Sequence, residues 1–381
     1  MKINIFGSTG IIGDKSLKLI SKLFPKIVIN LLVANNNYNK LIKQCNLYSP
    51  KYVCIKNSIY INKIKNNINN KIKIIEYKDL NIFLKTKKSE ITILSISGYQ
   101  ALDYFESILK NTKFLGLVNK ETIVSIGHLF KNNNFKKNTI FFPLDSEHFS
   151  LFDFFSNNKT DLNKVKKIYL TASGGPFLNY NIKQLKKVKF GQAIKHPKWK
   201  MGYKNSIDSA TLANKCLELI EAHYLFNIPY EKLDILIHPE SLIHSIIEYN
   251  NGTSIFVYFY NDMDIPIINF LSMANNKKIK MQSKFSLSKN LNLNFSPPDE
   301  KLFPIYNIYK KMNKKSVIKK VMFNVINENA VELFIHGKIK FTDISQYVDK
   351  YLSLDLKMPL SNVKNVIKFH KIIKRKLDLL K

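Results

Sequence analysis

The chain has 381 residues, more than one compact core usually holds, so two or three domains are expected. Its 60 Lys and Arg against 28 Asp and Glu give a formal net charge of +32, which at first suggests a nucleic-acid or membrane partner. Nearly all of this excess is Lys spread through an Asn- and Ile-rich chain without a recognition motif, so we expect neither a specific nucleic acid nor a membrane.

The first predicted element is a strand–turn–helix unit. Lys2 to Phe6 is a short apolar strand, GSTGIIG follows at 7–13, and the next residues have helical spacing. Gly7, Gly10 and Gly13 suit a turn whose backbone N–H groups meet a dinucleotide pyrophosphate. The spacing is GxxGxxG rather than GxGxxG, so a βαβ unit that binds no nucleotide remains an alternative.

A second strand, Ile27 to Val33, ends in Ala34-Asn35-Asn36-Asn37. The acidic residue that would bind a free ribose 2′-hydroxyl is absent there. This favours NADP over NAD, because a carboxylate would repel the 2′-phosphate. Strand and helix patterns alternate to about residue 140, which predicts a Rossmann-like doubly wound parallel sheet in residues 1–140.

An acidic pair follows the strand-like run Thr139 to Phe142. If the backbone stays extended after Pro143, Asp145 and Glu147 point to the same side and repel each other unless a cation lies between them. With Glu218 they would offer three oxygen ligands, as is usual for catalytic Mg²⁺ or Mn²⁺. Taken alone, such a pair is common and more typical of a loop.

The run ATLANKCLELIEAHYLF, residues 210–226, predicts a helix with Asp208 or Ser209 as N-cap. On this helix Asn214, Lys215 and Glu218 share one face. An amide, an ammonium and a carboxylate side by side suit a phosphate and a metal ion together. A solvated face with one Lys–Glu pair is the alternative.

The preceding run HPKWKMGYKN has no hydrophobic periodicity and contains Trp199, the only Trp of the chain. A buried core Trp is one interpretation. The flanking Pro197 and Gly202 favour a mobile flap near 196–204 that closes over a ligand.

The rest of the chain predicts a central α/β catalytic domain at 141–272, a polar linker at 273–298 and a helical domain at 299–381. Strands are expected at Lys167–Ala172 and Thr253–Tyr260, and helices at Lys314–Glu332 and Asn362–Leu380. His238 and His244 are six residues apart, which suits neither helix nor strand as a metal pair, so structural roles are expected for both.

Taken in order, the motifs resemble the 1-deoxy-D-xylulose 5-phosphate reductoisomerase family of the non-mevalonate isoprenoid pathway. The shared runs cover nearly the whole chain: GSTGIIG, LVNKETIV, PLDSEH, TASGGPF, HPKWKMG, SIDSATLANKCLELIEA, HPESLIHS, DMDIP and NENAVELFIHGKIKFTDI. The resemblance implies conversion of 1-deoxy-D-xylulose 5-phosphate into 2-C-methyl-D-erythritol 4-phosphate. A retro-aldol cleavage and re-addition rearranges the carbon skeleton, and NADPH then reduces the aldehyde with Mg²⁺ or Mn²⁺ present.

The resemblance also implies roles for single residues. The metal ligands would be Asp145, Glu147 and Glu218, and the catalytic set would add Lys215, His196 and His244. The residues that would bind the phosphorylated sugar are Ser146, Glu147, Ser173, His196, Trp199, Met201, Ser209, Asn214, Lys215 and Glu218. Those that would bind NADPH are Gly7, Ser8, Thr9, Gly10, Ile11, Ile12, Gly13, Asn35, Asn36, Asn37, Asn119, Lys120, Glu121 and Gly202.

The chain departs from the family pattern near the cofactor. Ile11 replaces the usual Ser, and Asn35-Asn36 replace a Gly-Lys pair whose Lys meets the 2′-phosphate. The run SISGYQAL at 95–102 also differs from the family's small-residue run. A basic scaffold or RNA-binding protein derived from the enzyme is therefore the alternative function.

Cysteine content and hydropathy predict a cytoplasmic protein. Cys45, Cys54 and Cys216 form neither a disulfide framework nor a metal-ligand spacing. No apolar run reaches transmembrane length, and the chain opens directly on its first strand, which leaves no room for a targeting peptide. The aromatic run SIFVYFY lies, in the family, in a sheet that helps dimerisation, so a homodimer is expected.

Overall fold

The computed structural model describes residues 1–130, 139–196, 198, 201–281 and 292–380. Among the helices in these ranges, none is both long and apolar enough to cross a membrane. The chain divides into two compact units. The first unit contains Met1–Asn119, Phe130–Phe149 and Asp262–Gln282, and the second contains Lys120–Leu129, Ser150–Asn261 and Ser283–Lys381.

The described residues form strands and helices in the following order. The strands are β1 Lys2–Phe6, β2 Val28–Ala34, β3 Tyr52–Ile55, β4 Lys73–Ile75, β5 Ile91–Leu94, β6 Phe114–Leu117, β7 Ile140–Pro143, β8 Val165–Ala172, β9 Leu233–Ile237, β10 Ile243–Tyr249 and β11 Ser254–Tyr258. The helices are α1 Ile11–Leu23, α2 Tyr38–Tyr48, α3 Ile61–Lys65, α4 Leu80–Thr86, α5 Leu102–Asn111, α6 Lys120–Ile126, α7 Ser146–Asn157, α8 Ile182–Leu185, α9 Phe190–Ala193, α10 Tyr203–Ala210, α11 Ala213–Phe226, α12 Asp264–Asn275, α13 Pro304–Lys311, α14 Val317–Ile335, α15 Asp343–Leu352 and α16 Val363–Leu379.

The first unit is built on a parallel sheet of seven strands in the order β4-β3-β2-β1-β5-β6-β7. Its central strand β1 buries Ile3, Ile5 and Phe6 completely, as expected of a strand covered on both faces. Asn4 is also buried and accepts a hydrogen bond of 2.8 Å from Asn30 on β2, which satisfies its side-chain oxygen. The predicted Rossmann-like sheet is confirmed.

An ion-pair cluster joins helix α12 to the first unit. The Nζ of Lys15 on α1 lies 2.8 Å from Asp262 and 2.6 Å from Asp264. Burial opposes the charge, but the two carboxylates raise the pKa of Lys15 above its usual range. The first unit includes Phe130–Phe149 and Asp262–Gln282, so it extends beyond the predicted boundary at 140. Helix α12 also runs to Asn275, inside the segment that was predicted to be linker.

The second unit combines a mixed sheet, in the order β11-β10-β8-β9, with a helical layer. Strands β8 and β9 are parallel, and β10 is antiparallel to both β8 and β11. The longest helix, α14, is capped by Ser316 and buries most of its residues, as expected of a helix at the centre of a helical layer. Helical structure from 304 onward confirms the predicted C-terminal helical domain.

The helix predicted over residues 210–226 is present as α11, but it begins later than predicted and a separate helix precedes it. The N-cap predicted at Asp208 or Ser209 is wrong, because α10 ends at Ala210 and α11 begins at Ala213. Leu212 between them has a φ of 65° and is almost fully buried. A left-handed Leu costs about 1–2 kcal/mol, which burial of its side chain can offset. The sequence did not predict this break, since neither Gly nor Pro lies between the two helices.

The buried His370 on α16 makes the stability of the folded chain depend on pH. Its imidazole is fully buried, and Nε2 lies 3.1 Å from Ser125 Oγ on α6, which in turn accepts from Asn324 on α14. Burial, and secondarily Lys374, lowers the pKa of His370 to about 3.

We expect folded stability to fall with pH below about 6.5, because the unfolded chain then binds a proton that folded His370 rejects until about pH 3. His370→Gln should reduce the loss of unfolding free energy between pH 7 and pH 5 by up to about 2 kcal/mol. Urea unfolding at both pH values measures this difference. The exposed His336→Gln is the control, and an unchanged pH dependence in His370→Gln would contradict the assignment.

Candidate active site

The turn between β1 and α1 lies at the point where the sheet order reverses, since β1 has β2 on one side and β5 on the other. Gly7 has a φ of 78°, and a Cβ there would lie 2.6 Å from the carbonyl oxygen of Ser95, just after β5. Ser95 also donates from Oγ to the carbonyl of Phe6 at 2.6 Å. Glycine is required here by both conformation and space.

The N-terminus of α1 is shaped for a pyrophosphate. A Cβ on Gly13 would lie 2.6 Å from Ser8 Cα, so only glycine lets the helix start this close to the turn. The first-turn N–H groups, Ile11 to Gly13, have no acceptor within the helix and attract anionic oxygens. Gly10 and Ile11 are exposed at this helix start. The residues present therefore fit a dinucleotide phosphate, although Ile11 offers no hydroxyl.

The end of β2 consists of the exposed residues Asn35, Asn36 and Asn37. Asn37 is occupied as the N-cap of α2, where its side chain accepts from Lys40 N. Further along the sheet, Asn119 donates from its side chain to the carbonyl of Gly98 at 2.8 Å. This contact fixes the backbone that follows β5 next to the backbone that follows β6.

Asp145 and Glu147 are close together, but not by the predicted geometry. The extended backbone expected through this pair is wrong, because α7 begins at Ser146 and Glu147 lies in its first turn. Ligand oxygens of Asp145 and Glu147 still lie within 4.8 Å of each other, and both side chains are half-buried. Ser146 donates to Glu147 at 2.7 Å. Carboxylates at a helix N-terminus are stabilised in their ionised form, as a metal requires.

In the second unit, a histidine and two hydroxyls form one cluster. His196 Nε2 lies 3.0 Å from Ser173 Oγ and 3.1 Å from Ser209 Oγ. Gly175 and its neighbour Gly174, both with positive φ, allow the loop after β8 to approach α10 closely. Burial, and then the charge of Lys215, lowers the pKa of His196 to about 4. The imidazole is therefore neutral at neutral pH.

A second cluster surrounds the fully buried Glu218 on α11. Lys215 Nζ lies 2.7 Å from one of its oxygens and Lys120 Nζ 3.1 Å from the other. Asn214 donates to the same carboxylate and accepts from Lys120 at 2.7 Å. The two ammonium groups and the amide offer hydrogen-bond donors to an anionic ligand. Lys120 was predicted beside the cofactor, and its contacts with Glu218 were not foreseen.

Lys204 was not among the site residues predicted from the sequence. Its Nζ lies 2.7 Å from Glu121 and 2.6 Å from Asp208, and Asp208 also accepts from Asn327 on α14 at 2.8 Å. Burial alone would raise the pKa of Glu121, but Lys204 holds it below its usual range. The pKa of Lys204 is raised, because Asp208 and Glu121 outweigh its burial. The spacing of Lys204 and Asp208, i and i+4, was the available sequence signal.

Other predicted site residues do not join these clusters through the contacts that the structure gives. His244 is buried on β10, with its ring stacked on Phe259 at 3.9 Å and Nε2 3.1 Å from the Phe259 carbonyl. Gly202 is the N-cap of α10, and Met201 before it is half-buried. Trp199 lies outside the described residues. His238 accepts from Leu242 N, consistent with the structural role expected for it.

Comparison with known proteins identifies the family. Three family models match: 1-deoxy-D-xylulose 5-phosphate reductoisomerase over residues 3–127, its C-terminal domain over 141–226, and a further DXP reductoisomerase C-terminal domain over 260–376. The reductoisomerase of Pelagibacter ubique is 40% identical over 352 residues, covering 92% of this chain and 90% of that protein. That of Persephonella marina is 36% identical, with the same coverage.

Solved structures agree over the full length. The Zymomonas mobilis reductoisomerase in complex with NADPH has a TM-score of 0.86 at 30% identity, covering 100% of this chain and 98% of that chain. A reductoisomerase in complex with NADPH, fosmidomycin and magnesium also has a TM-score of 0.86, at 28% identity, with 100% and 99% covered.

The contacts of Lys204 predict a large effect on stability. Lys204→Met should lower the free energy of unfolding by about 3–5 kcal/mol, because Glu121 and Asp208 would remain buried without their cation. Urea unfolding monitored by circular dichroism measures this loss. Lys166→Met, which removes the exposed pair with Glu248, is the matched control and should change little. Equal effects of the two substitutions would contradict the role given to Lys204.

Proposed function

This chain belongs to the 1-deoxy-D-xylulose 5-phosphate reductoisomerase family, and we propose that it catalyses that reaction in isoprenoid precursor synthesis. The substrate is 1-deoxy-D-xylulose 5-phosphate and the product 2-C-methyl-D-erythritol 4-phosphate. The carbon skeleton rearranges by retro-aldol cleavage and re-addition, and NADPH then delivers hydride to the aldehyde. The observation that carries this proposal is the buried cluster of Lys120, Asn214, Lys215 and Glu218, which combines anion donors with a hard oxygen ligand.

The substrate phosphate is assigned to Ser173, Ser209, Asn214 and Lys215. Support comes from the arrangement around His196, whose neutral imidazole makes hydrogen bonds with both serine hydroxyls. A neutral imidazole and two hydroxyls can bind an anion without adding a positive charge to that of Lys215. Lys215 contributes the positive charge. Phosphate bound away from the reacting carbons fixes the orientation of the substrate.

The metal ligands are assigned to Asp145, Glu147 and Glu218. Asp145 and Glu147 are carboxylates close enough to share one cation. The family resemblance adds Glu218, whose carboxylate is buried on α11, as a third oxygen ligand. A hard donor set of this kind fits Mg²⁺ or Mn²⁺. When bound, the ion polarises the carbonyl and hydroxyl oxygens of the substrate. Ser146, which donates to Glu147, keeps that carboxylate oriented.

Binding of the NADPH pyrophosphate is assigned to the first unit, and binding of the substrate phosphate to the second. The glycine turn before α1 holds the pyrophosphate of NADPH, and Asn119 to Glu121 lie beside the nicotinamide. The segment 196–204, including Trp199 and Met201, closes over the substrate and excludes water. His244 remains a proposed functional residue on the family resemblance alone.

A homodimer is also proposed, through strand β11. This strand is at the edge of its sheet, and Ile255, Phe256 and Tyr258 on it are 37–49% exposed. An exposed aromatic edge strand invites pairing with another chain. A second copy that covers β11 would bury these side chains.

The reaction is tested by mixing the purified protein with 1-deoxy-D-xylulose 5-phosphate, Mg²⁺ or Mn²⁺, and NADPH or NADH. We expect oxidation of NADPH and formation of 2-C-methyl-D-erythritol 4-phosphate. Glu218→Gln should lower kcat at least about 100-fold and weaken Mn²⁺ binding, measured from the free-ion signal in electron paramagnetic resonance. Glu332→Gln, at an exposed position on α14, is the control. Absence of turnover from folded, metal-loaded protein would refute the function and favour the scaffold alternative.

The dimer is tested by light scattering after size-exclusion chromatography. The wild-type protein should have twice the chain mass of 44.3 kDa, and Phe256→Lys should shift it towards the monomer. Ile82→Lys, an equally drastic change at an exposed residue of α4, should leave the mass unaltered. A dimer that persists in Phe256→Lys argues for another interface.

A further inference from the structure

The end of β2 lacks the cation with which this family meets the 2′-phosphate of NADPH. Asn35, Asn36 and Asn37 offer amides only, and Asn37 is occupied as a helix cap. A phosphate carries nearly two negative charges, so neutral donors alone discriminate poorly between NADPH and NADH. Another residue of this chain must supply the charge if the preference for NADPH is kept.

We infer that Lys56, which follows the neighbouring strand β3, binds the 2′-phosphate and determines the cofactor preference. This inference rests on the proposed reductoisomerase function. It assigns the phosphate contact to a strand end that the sequence pattern did not indicate.

The backbone fixes Lys56 beside the end of β2. Strands β2 and β3 are parallel neighbours, with Ala34 opposite Ile55. Lys56 N donates to the carbonyl of Ala34 at 2.9 Å, and Asn57 N donates to that of Asn35 at 3.2 Å. The pairing thus continues past both strands, so Lys56 is adjacent to the residues that normally face the adenosine ribose.

The side chain of Lys56 extends towards the switch point of the sheet. Its Nζ donates to Gln100 Oε1 at 2.6 Å and lies 5.8 Å from the centre of the Tyr77 ring. Gln100 follows β5, which is separated from β3 in the sheet by β2 and β1. A link from β3 to the segment after β5 therefore crosses the carboxyl ends of the two strands where the adenosine half of a dinucleotide binds.

The partner of Lys56 distinguishes it from two other lysines of the first unit, Lys40 and Lys78. Lys40, on α2, has its Nζ 3.3 Å from Asp14, and Lys78 has its Nζ 2.8 Å from Glu76. Those charges are offset by carboxylates. The hydrogen-bond partner of Lys56 is a neutral amide, so its positive charge remains available. An incoming phosphate can replace the amide, and the charge-assisted hydrogen bond that forms is the stronger one.

The test measures binding of cofactor fragments rather than turnover. Isothermal titration of the full-length protein with 2′,5′-ADP and with 5′-AMP isolates the contribution of the 2′-phosphate. We expect the wild-type protein to bind 2′,5′-ADP at least about 10-fold more tightly than 5′-AMP, as one charge-assisted contact provides. Lys56→Ala should lose most of that ratio by weakening 2′,5′-ADP alone, and its KM for NADPH should rise while that for NADH stays constant.

Two further variants complete the test. Lys51→Ala removes an exposed lysine at the opposite end of β3 and should leave both affinities unchanged. Adding Asn36→Lys to Lys56→Ala should restore the preference, because it returns an ammonium to the end of β2. The inference is overturned if Lys56→Ala keeps the wild-type ratio, if it weakens both ligands equally, or if the wild-type protein binds the two ligands alike. Turnover with NADH in any of these cases would leave the reductoisomerase function intact.

Discussion

The second unit depends on one constraint, that charged groups buried in a low-dielectric interior must be paired. Lys204 satisfies it by contacting Glu121 on α6 and Asp208 on its own helix, while Asn327 on α14 donates to the same aspartate. The ammonium group of Lys204 and the carboxylate of Asp208 together connect three helices. Removal of Lys204 would leave two buried carboxylates without their cation, so the arrangement is fixed more firmly than apolar packing alone would fix it.

The same ion pairs organise the proposed chemistry. Helix α10 begins at Tyr203, within the proposed flap segment 196–204, and carries Ser209 close to its end. Helix α6 begins with Lys120, whose Nζ contacts Asn214 and Glu218 on α11. The pairs that stabilise α6 and α10 therefore also position the side chains that are proposed to bind phosphate and a metal. Stability and binding geometry have one physical origin here.

In the first unit the controlling constraint is space rather than charge. Gly7 and Gly13 allow the backbones of β1, α1 and the segment after β5 to approach closer than a Cβ would permit. This leaves the first-turn N–H groups of α1 open to an anion. Asn36 lies after β2 rather than in this turn, so the amide there leaves the turn unchanged. The phosphate contact proposed for Lys56 is also made outside the turn.

Elements with strong local patterns, and membership of the enzyme family, could be predicted from the amino-acid sequence alone. The parallel sheet and the glycine turn followed from periodicity and composition, as did the helices after residue 304. The runs around Asp145, Ser173 and Asn214 predicted the family because their order along the chain is specific. These features depend on residues close together in the sequence, which local propensity and spacing describe well.

Features that depend on burial and long-range contact could not be predicted without the tertiary structure. The break at Leu212 and the helical start at Ser146 override local signals, because packing of the surrounding helices outweighs backbone propensity. The roles of Lys120, Lys204 and Lys56 were hidden among many similar lysines. What sets these three apart is their partners: buried carboxylates for the first two, and for Lys56 a neutral amide beside the cofactor edge. Those partners come from distant parts of the chain, and no local pattern in the sequence specifies them.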